Sequence, residues 1–264
     1  MIKRGAFVGL AAGAAVGATM AGTAGQSERV AQDDPEISVS NIELQRPDTV
    51  VPAYAAAPRN ASADTPGVVV VMHIWGVDDS IREVVRGFAK AGFAAIAPDL
   101  YARLQAPSGD GERDYTKFVP FAQKLQTAQV DGDLRAAAVW LRSAHPQGKV
   151  GITGFCMGGA TALRQAIDNG DVFSADAVWY GKVDGIDPAK VHIPLLGSYG
   201  ERDTSIPTDS VRAFGKALRV PNDIVSYPTA SHAFFDHTRP SYVESAATDS
   251  WRRTIAFFTK YLKS

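Results

Sequence analysis

Short apolar runs and longer stretches with apolar residues every three or four positions take turns along this chain. Gly67 to Met72 is a run without a polar face, which predicts a strand buried on both sides. Phe93 to Ala97, Lys149 to Thr153, Ala175 to Tyr180, Pro194 to Tyr199 and Ile224 to Tyr227 predict further strands. Between them, Ile81, Val84, Val85, Phe88 and Ala89 share one helical face, with Ser80 as the expected cap and Gly92 as the stop. Val130 to Ser143, Met157 onward, Val211 to Leu218 and Ser241 to Leu262 predict the other helices. Ahead of these, Ile37 to Gln45 and Val50 to Ala55 alternate apolar and polar residues around Pro47-Asp48, as in an entry hairpin. Ala102 to Tyr115 is polar and Gly-rich and reads as a surface loop. Strands alternating with amphipathic helices imply an α/β fold: a mostly parallel central sheet with helices on both faces.

The ends and the composition refine this picture. Met1-Ile2-Lys3-Arg4 is basic, and residues 5–25 carry no charge and are rich in Ala and Gly. Small residues at Gly22 and Ala24 would suit a cleavage site, so residues 1–25 read as a signal peptide. An exported protein, periplasmic or secreted, is expected. Residues 26–35 read as a polar linker, and 36–264 as one α/β domain without repeats. The net charge of −1 offers no basic surplus for nucleic acid or an anionic membrane. A monomer acting on a small molecule is expected. The chain has one cysteine, Cys156, so no disulfide can form within it.

That cysteine sits in Gly154-Phe155-Cys156-Met157-Gly158, between a predicted strand and a predicted helix. The spacing matches a nucleophile elbow with Cys in place of Ser. The glycines leave room for a strained turn, and the helix N-terminus favours a thiolate. A thiolate needs a base, and the base needs an orienting carboxylate. Asp203 follows the strand ending at Tyr199, with Glu201 as a rival acid. His232 follows the strand ending at Tyr227. Trp75, Tyr101, Trp179 and Tyr180 are candidates for the wall of an apolar pocket, or for plain core. His73, His232 and His237 lack paired-ligand spacing, so no metal is expected.

Four segments carry a resemblance: Ile74-Trp75-Gly76-Val77, Ile96 to Arg103, Gly154 to Gly159, and Ser231-His232-Ala233-Phe234. With them the chain resembles the dienelactone hydrolase family, the carboxymethylenebutenolidases, of the α/β-hydrolase fold. The resemblance implies Cys156 as nucleophile, Asp203 as acid and His232 as base. It implies an oxyanion hole from the backbone N–H groups of Ile74 and Met157, and Arg103 as a contact for a substrate carboxylate. The implied reaction opens an unsaturated lactone without metal or organic cofactor. Two positions depart from the family. His73 stands where the family has a Glu beside the thiol, and Asp236 stands where it has a second carboxylate-binding Arg. Arg239 is the nearest replacement for that Arg. The departure at Asp236 leaves a broader esterase or thioesterase open, and an inert Cys156 would instead mark a binding protein.

Overall fold

The computed structural model describes residues 30–112 and 114–263. The expected leader therefore lies outside the described residues, while the end of the expected linker lies inside. There, Val30 is buried and its carbonyl accepts from Arg86, and Asp34 pairs with Lys90. Residues 30–35 thus lie against a helix and are not a free tether.

Eight strands form one sheet. They are β1 (Ile37–Gln45), β2 (Val50–Pro58), β3 (Gly67–Val71), β4 (Ala94–Pro98), β5 (Val150–Phe155), β6 (Asp176–Trp179), β7 (Leu195–Gly200) and β8 (Asn222–Tyr227). Their spatial order is β1-β2-β4-β3-β5-β6-β7-β8. The β1–β2 and β2–β4 pairs are antiparallel and all others parallel. Burial follows this placement. β3, β4, β5, β6 and β7 are buried at every residue, whereas the edge strands β1 and β8 are partly exposed.

The helices are α1 (Asp79–Lys90), α2 (Val119–Ala122), α3 (Thr127–Ala144), α4 (Met157–Asp168), α5 (Thr208–Ala217) and α6 (Glu244–Leu262). Both faces of the sheet are covered. Gly67 pairs with Val150, and a side chain at Gly67 would press on Leu141 of α3. Gly151 points the opposite way, where a side chain would press on Phe258 of α6. On that second face Phe88 of α1 packs against Trp251 and Phe258, with ring centroids 4.8 and 5.8 Å apart. The expected cap of α1 is corrected: Asp78, not Ser80, is the N-cap, and its carboxylate accepts from the Ile81 amide at 3.1 Å. The expected loop after β4 holds a 3-10 turn, Tyr115–Lys117, and leads into α2. Among the described residues no helix is long and apolar enough to cross a membrane.

The crossovers run from β4 over β3 to β5, so the chain reverses its direction of travel across the sheet at β3 and β5. Open α/β sheets form their crevice at the carboxyl ends of the strands flanking such a reversal. His73, Cys156, Tyr180, Asp203 and His232 all follow carboxyl ends of strands in this part of the sheet.

Candidate active site

The elbow is a tight, strained turn. Cys156 has φ +56° and ψ −117°, between the end of β5 and the first residue of α4. A non-glycine residue in such a conformation costs on the order of 1–3 kcal/mol and persists only when its surroundings enforce it. The enforcement is visible. A Cβ on Gly154 would lie 2.1 Å from the Gly158 carbonyl oxygen, and one on Gly158 would lie 2.4 Å from that of Met72. The Cys156 amide donates to the Trp179 carbonyl at 3.0 Å, which pins the turn to β6. The thiol is half-buried. Met157 opens α4, so its amide has no acceptor within the helix and faces the elbow.

Asp203 and His232 meet across two loops. His232 Nδ1 lies 2.7 Å from Asp203 Oδ2. The other carboxylate oxygen of Asp203 accepts from the Ser205 amide at 2.8 Å and its hydroxyl at 2.6 Å. Burial pushes the Asp203 carboxyl up, but the hydrogen bonds from His232 and Ser205 prevail and hold it below its ordinary value. For His232, burial opposes the charge, yet hydrogen bonds to Asp203 and to Cys156 outweigh it and raise the imidazole to about 10. The imidazole is thus held by the Asp203 carboxylate, and Cys156 also favours its charged form. The rival acid Glu201 is elsewhere, paired with Arg212 at the surface.

Backbone strain recurs around the pocket. Tyr180 has φ +38° and Ala233 φ +60°. The Tyr180 ring stands edge-on to His232 at 5.1 Å. The Tyr101 hydroxyl donates to the Ile74 carbonyl at 2.8 Å, fixing the loop that carries the Ile74 amide. That loop is closed by Gly76, whose amide donates to the His73 carbonyl at 3.1 Å. Burial pushes both phenols well above their ordinary range, so they are neutral donors near pH 7. Trp179 belongs to the core, stacked on Phe155 at 5.2 Å and fully buried.

Behind Trp75 lies a buried charged cluster. His73 Nε2 is 2.9 Å from Asp78 Oδ1 but out of line for a hydrogen bond, and its Nδ1 is 3.9 Å from Asp236 Oδ2. Arg239 donates to Asp236 at 3.1 Å, to Asp78 at 3.4 Å and to the Glu112 carbonyl at 2.8 Å. Its guanidinium also covers the Trp75 ring, 3.6 Å from the centroid. The two departures from the family pattern, His73 and Asp236, therefore face each other. No sequence signal joins Asp78 to them, because Ser80 is the expected cap of α1 and Asp78 has no expected role.

Arg103, expected as a contact for a substrate carboxylate, is engaged by carboxylates of the protein itself. It donates to Asp48 at 2.7 and 2.9 Å and to Asp133 at 2.7 and 3.1 Å. Four hydrogen bonds to two carboxylates occupy the guanidinium. His237 likewise turns away from the other histidines, toward Glu83 at 3.7 Å.

This elbow and its paired histidine lie on a chain whose residues 51–262 match the model of the dienelactone hydrolase family. The chain belongs to the dienelactone hydrolase family. A Salmonella typhimurium protein named "Putative carboxymethylenebutenolidase" is 38% identical over 226 residues, covering 80% of this chain and 83% of that protein. The crystal structure of a Klebsiella pneumoniae protein named "Putative Dienelactone Hydrolase" superposes with TM-score 0.78 at 35% identity, covering 85% of this chain and 99% of that one. A dienelactone hydrolase from Anabaena variabilis, 19% identical, shares the fold with TM-score 0.67, covering 86% and 99%. The fold is the α/β-hydrolase fold, and this dienelactone hydrolase family member is an enzyme that hydrolyses small carboxylic esters or lactones.

Proposed function

We propose that the enzyme opens a lactone or cleaves an ester through Cys156, His232 and Asp203, by way of a thioester. The observation that carries this reading is the 2.7 Å pairing of His232 with Asp203, together with the strained elbow that presents Cys156. The Cys156 thiolate attacks the carbonyl carbon and forms a C–S bond. The oxyanion is received by the backbone N–H groups of Ile74 and Met157. Removing one donor from such a hole costs roughly 3 kcal/mol in related sites. The tetrahedral adduct collapses, the C–O bond breaks, and the leaving oxygen takes the proton from His232. His232, neutral again, draws a proton from water, which adds to the thioester. The second collapse releases the acid and returns the thiolate and imidazolium pair. Asp203 holds the imidazole orientation throughout. His73, Trp75 and Tyr101 line the approach.

The test is Cys156→Ala. It should reduce hydrolysis of aryl esters and lactones by at least about 1,000-fold with the thermal melt preserved. Mass spectrometry of the wild-type enzyme quenched during turnover should find the acyl group on Cys156. Unchanged turnover in the variant would overturn the mechanism. We also read residues 1–25 as an export leader, to be checked by the N-terminal sequence of the protein recovered from the cell envelope or medium.

A further inference from the structure

We infer that Arg239 is a positioning residue that holds Trp75, and through it the Ile74 amide, in the geometry that receives the oxyanion. The inference rests on the hydrolase reading above and adds a residue to it. Each nitrogen of the Arg239 guanidinium donates to a different segment. Nε reaches Asp236 at 3.1 Å, Nη1 the Glu112 carbonyl at 2.8 Å and Nη2 the Asp78 carboxylate at 3.4 Å. Asp236 lies in the loop after β8, which also carries His232. Glu112 lies in the loop after β4, and Asp78 in the loop after β3, which also carries Ile74. Both carboxylates are fixed independently of Arg239. Asp236 Oδ1 accepts from the Thr238 amide at 2.9 Å and its hydroxyl at 2.7 Å, and Asp78 Oδ1 accepts from the Ile81 amide at 3.1 Å. The second oxygen of each is thereby aimed at the guanidinium. The Arg239 side chain is only 8% exposed, so water competes little for these contacts.

The plane so fixed is the seat of Trp75. The guanidinium carbon stands 3.6 Å from the centre of the indole. A cation over an indole face attracts it, and a planar guanidinium adds stacking that an ammonium lacks. Other contacts narrow the freedom of the same residue. His73 meets the indole edge-on at 5.0 Å. A Cβ on Gly109 would collide with the Trp75 carbonyl, so the loop after β4 lies directly on this backbone. The Tyr101 hydroxyl holds the Ile74 carbonyl at 2.8 Å. The Ile74–Trp75 peptide is therefore pinned at its carbonyl by Tyr101 and through the indole by Arg239, and the Ile74 amide lies one Cα before it. Without Arg239 the indole loses its planar support and this peptide is free to tilt. A misplacement of about 1 Å costs on the order of 100-fold in rate. The oxyanion exists only once sulfur has added to the carbonyl, so the loss falls on the chemical step and not on substrate binding.

The test uses the full-length protein and Arg239→Lys, which keeps the charge but neither lies flat on an indole nor spans three acceptors. With p-nitrophenyl butanoate, kcat and kcat/KM should fall together by about 10- to 100-fold while KM stays within about 3-fold. Propyl trifluoromethyl ketone is the second probe. The Cys156 sulfur adds to its carbonyl carbon, a C–S bond forms, the π pair moves to oxygen and nothing leaves, so its inhibition constant reads the oxyanion hole. That constant should weaken by the same factor as kcat. Iodoacetamide alkylates Cys156 by displacing iodide at a saturated carbon and forms no oxyanion, so its rate should stay within about 3-fold of the wild type. Trp75→Leu removes the surface that Arg239 supports. It should give the same loss of kcat and of ketone binding, and the double variant should lose no more than the worse single variant. An equal loss in alkylation, a raised KM with unchanged kcat, additive losses in the double variant, or unchanged kcat would overturn the inference while leaving the hydrolase reading standing. Failure of both single variants to fold would overturn it too, by making the contact a support of the fold alone. Turnover that survives in Cys156→Ala would instead sink the thioester reading, and the kcat and KM of Arg239→Lys would still decide the role of Arg239.

Discussion

The guanidinium of Arg103 grips Asp133 with two parallel hydrogen bonds, 2.7 Å from Nη1 and 3.1 Å from Nη2. Asp133 lies in α3 and is 1% exposed at its side chain, so this pair ties the loop after β4 to a helix. Removing Arg103 would leave a buried carboxylate supported, among the described residues, by Arg46 at 3.0 Å. Arg103→Met should therefore destabilise the fold by about 3 kcal/mol, read by urea unfolding. Turnover of carboxylate-bearing and neutral esters should fall in the same proportion. A selective loss on the carboxylate-bearing ester would mean that Arg103 reaches the substrate after all.

His232 sets a pH dependence. Its imidazole is raised from an ordinary 6.5 to about 10 because the Asp203 and Cys156 hydrogen bonds overcome burial. Above pH 6.5 the unfolded chain has released this proton while the folded protein keeps it. The stabilisation is therefore fully present below pH 6.5 and is lost as pH rises through about 10. The melting temperature should fall along that window. Cys156→Ala removes one of the two supports, so the NMR titration midpoint of His232 should drop below that of the wild type. An unmoved midpoint would show that the sulfur does not hold the imidazole proton.

Gly158 has no room for a side chain. A Cβ there would lie 2.4 and 2.5 Å from the carbonyl oxygens of Met72 and Val71, which are backbone atoms of a central strand end and cannot step aside. Gly158→Ala should cost about 3 kcal/mol of stability by overpacking. By pushing α4 away from β3 it should also displace the Met157 amide from Ile74 and lower kcat by about 100-fold. Normal kcat in a stable Gly158→Ala protein would refute the proposed placement of the oxyanion donors.

Asp176 begins β6, fully buried, and neither carboxylate oxygen has a protein partner among the described residues. Burial pushes its pKa well above the ordinary 3.8, so the folded protein keeps the proton. Above pH 3.8 the unfolded chain gains by ionising this group and the folded protein does not, so Asp176 costs stability that grows with pH up to its folded pKa. Asp176→Asn should raise the melting temperature more at pH 8 than at pH 4. An equal effect at both would mean that the carboxyl is ionised in place.

How legible all this was in the sequence differs from element to element. β3, β5 and the other central strands announce themselves because burial on both sides demands unbroken apolar runs. The elbow announces itself because close backbone approach leaves glycine no substitute at 154 and 158. Asp203 and His232 were legible as residue types at strand ends, but not as partners. Twenty-nine positions separate them in the chain, and only the parallel packing of β7 beside β8 brings their loops together. The charged cluster was not legible at all. Ser80, not Asp78, reads as the helix cap, and Arg103 and Arg239 read as free cations, because sequence spacing cannot say which distant group a side chain will reach.

The lone cysteine, its glycines and the order of acid and base were thus determined by the sequence itself, since strain and helix geometry are local. What the tertiary structure decided is the electrostatic state of the pocket. Charges act through space and are settled by whichever partners the fold buries beside them, here Asp133 for Arg103 and Asp78 with Asp236 for His73 and Arg239.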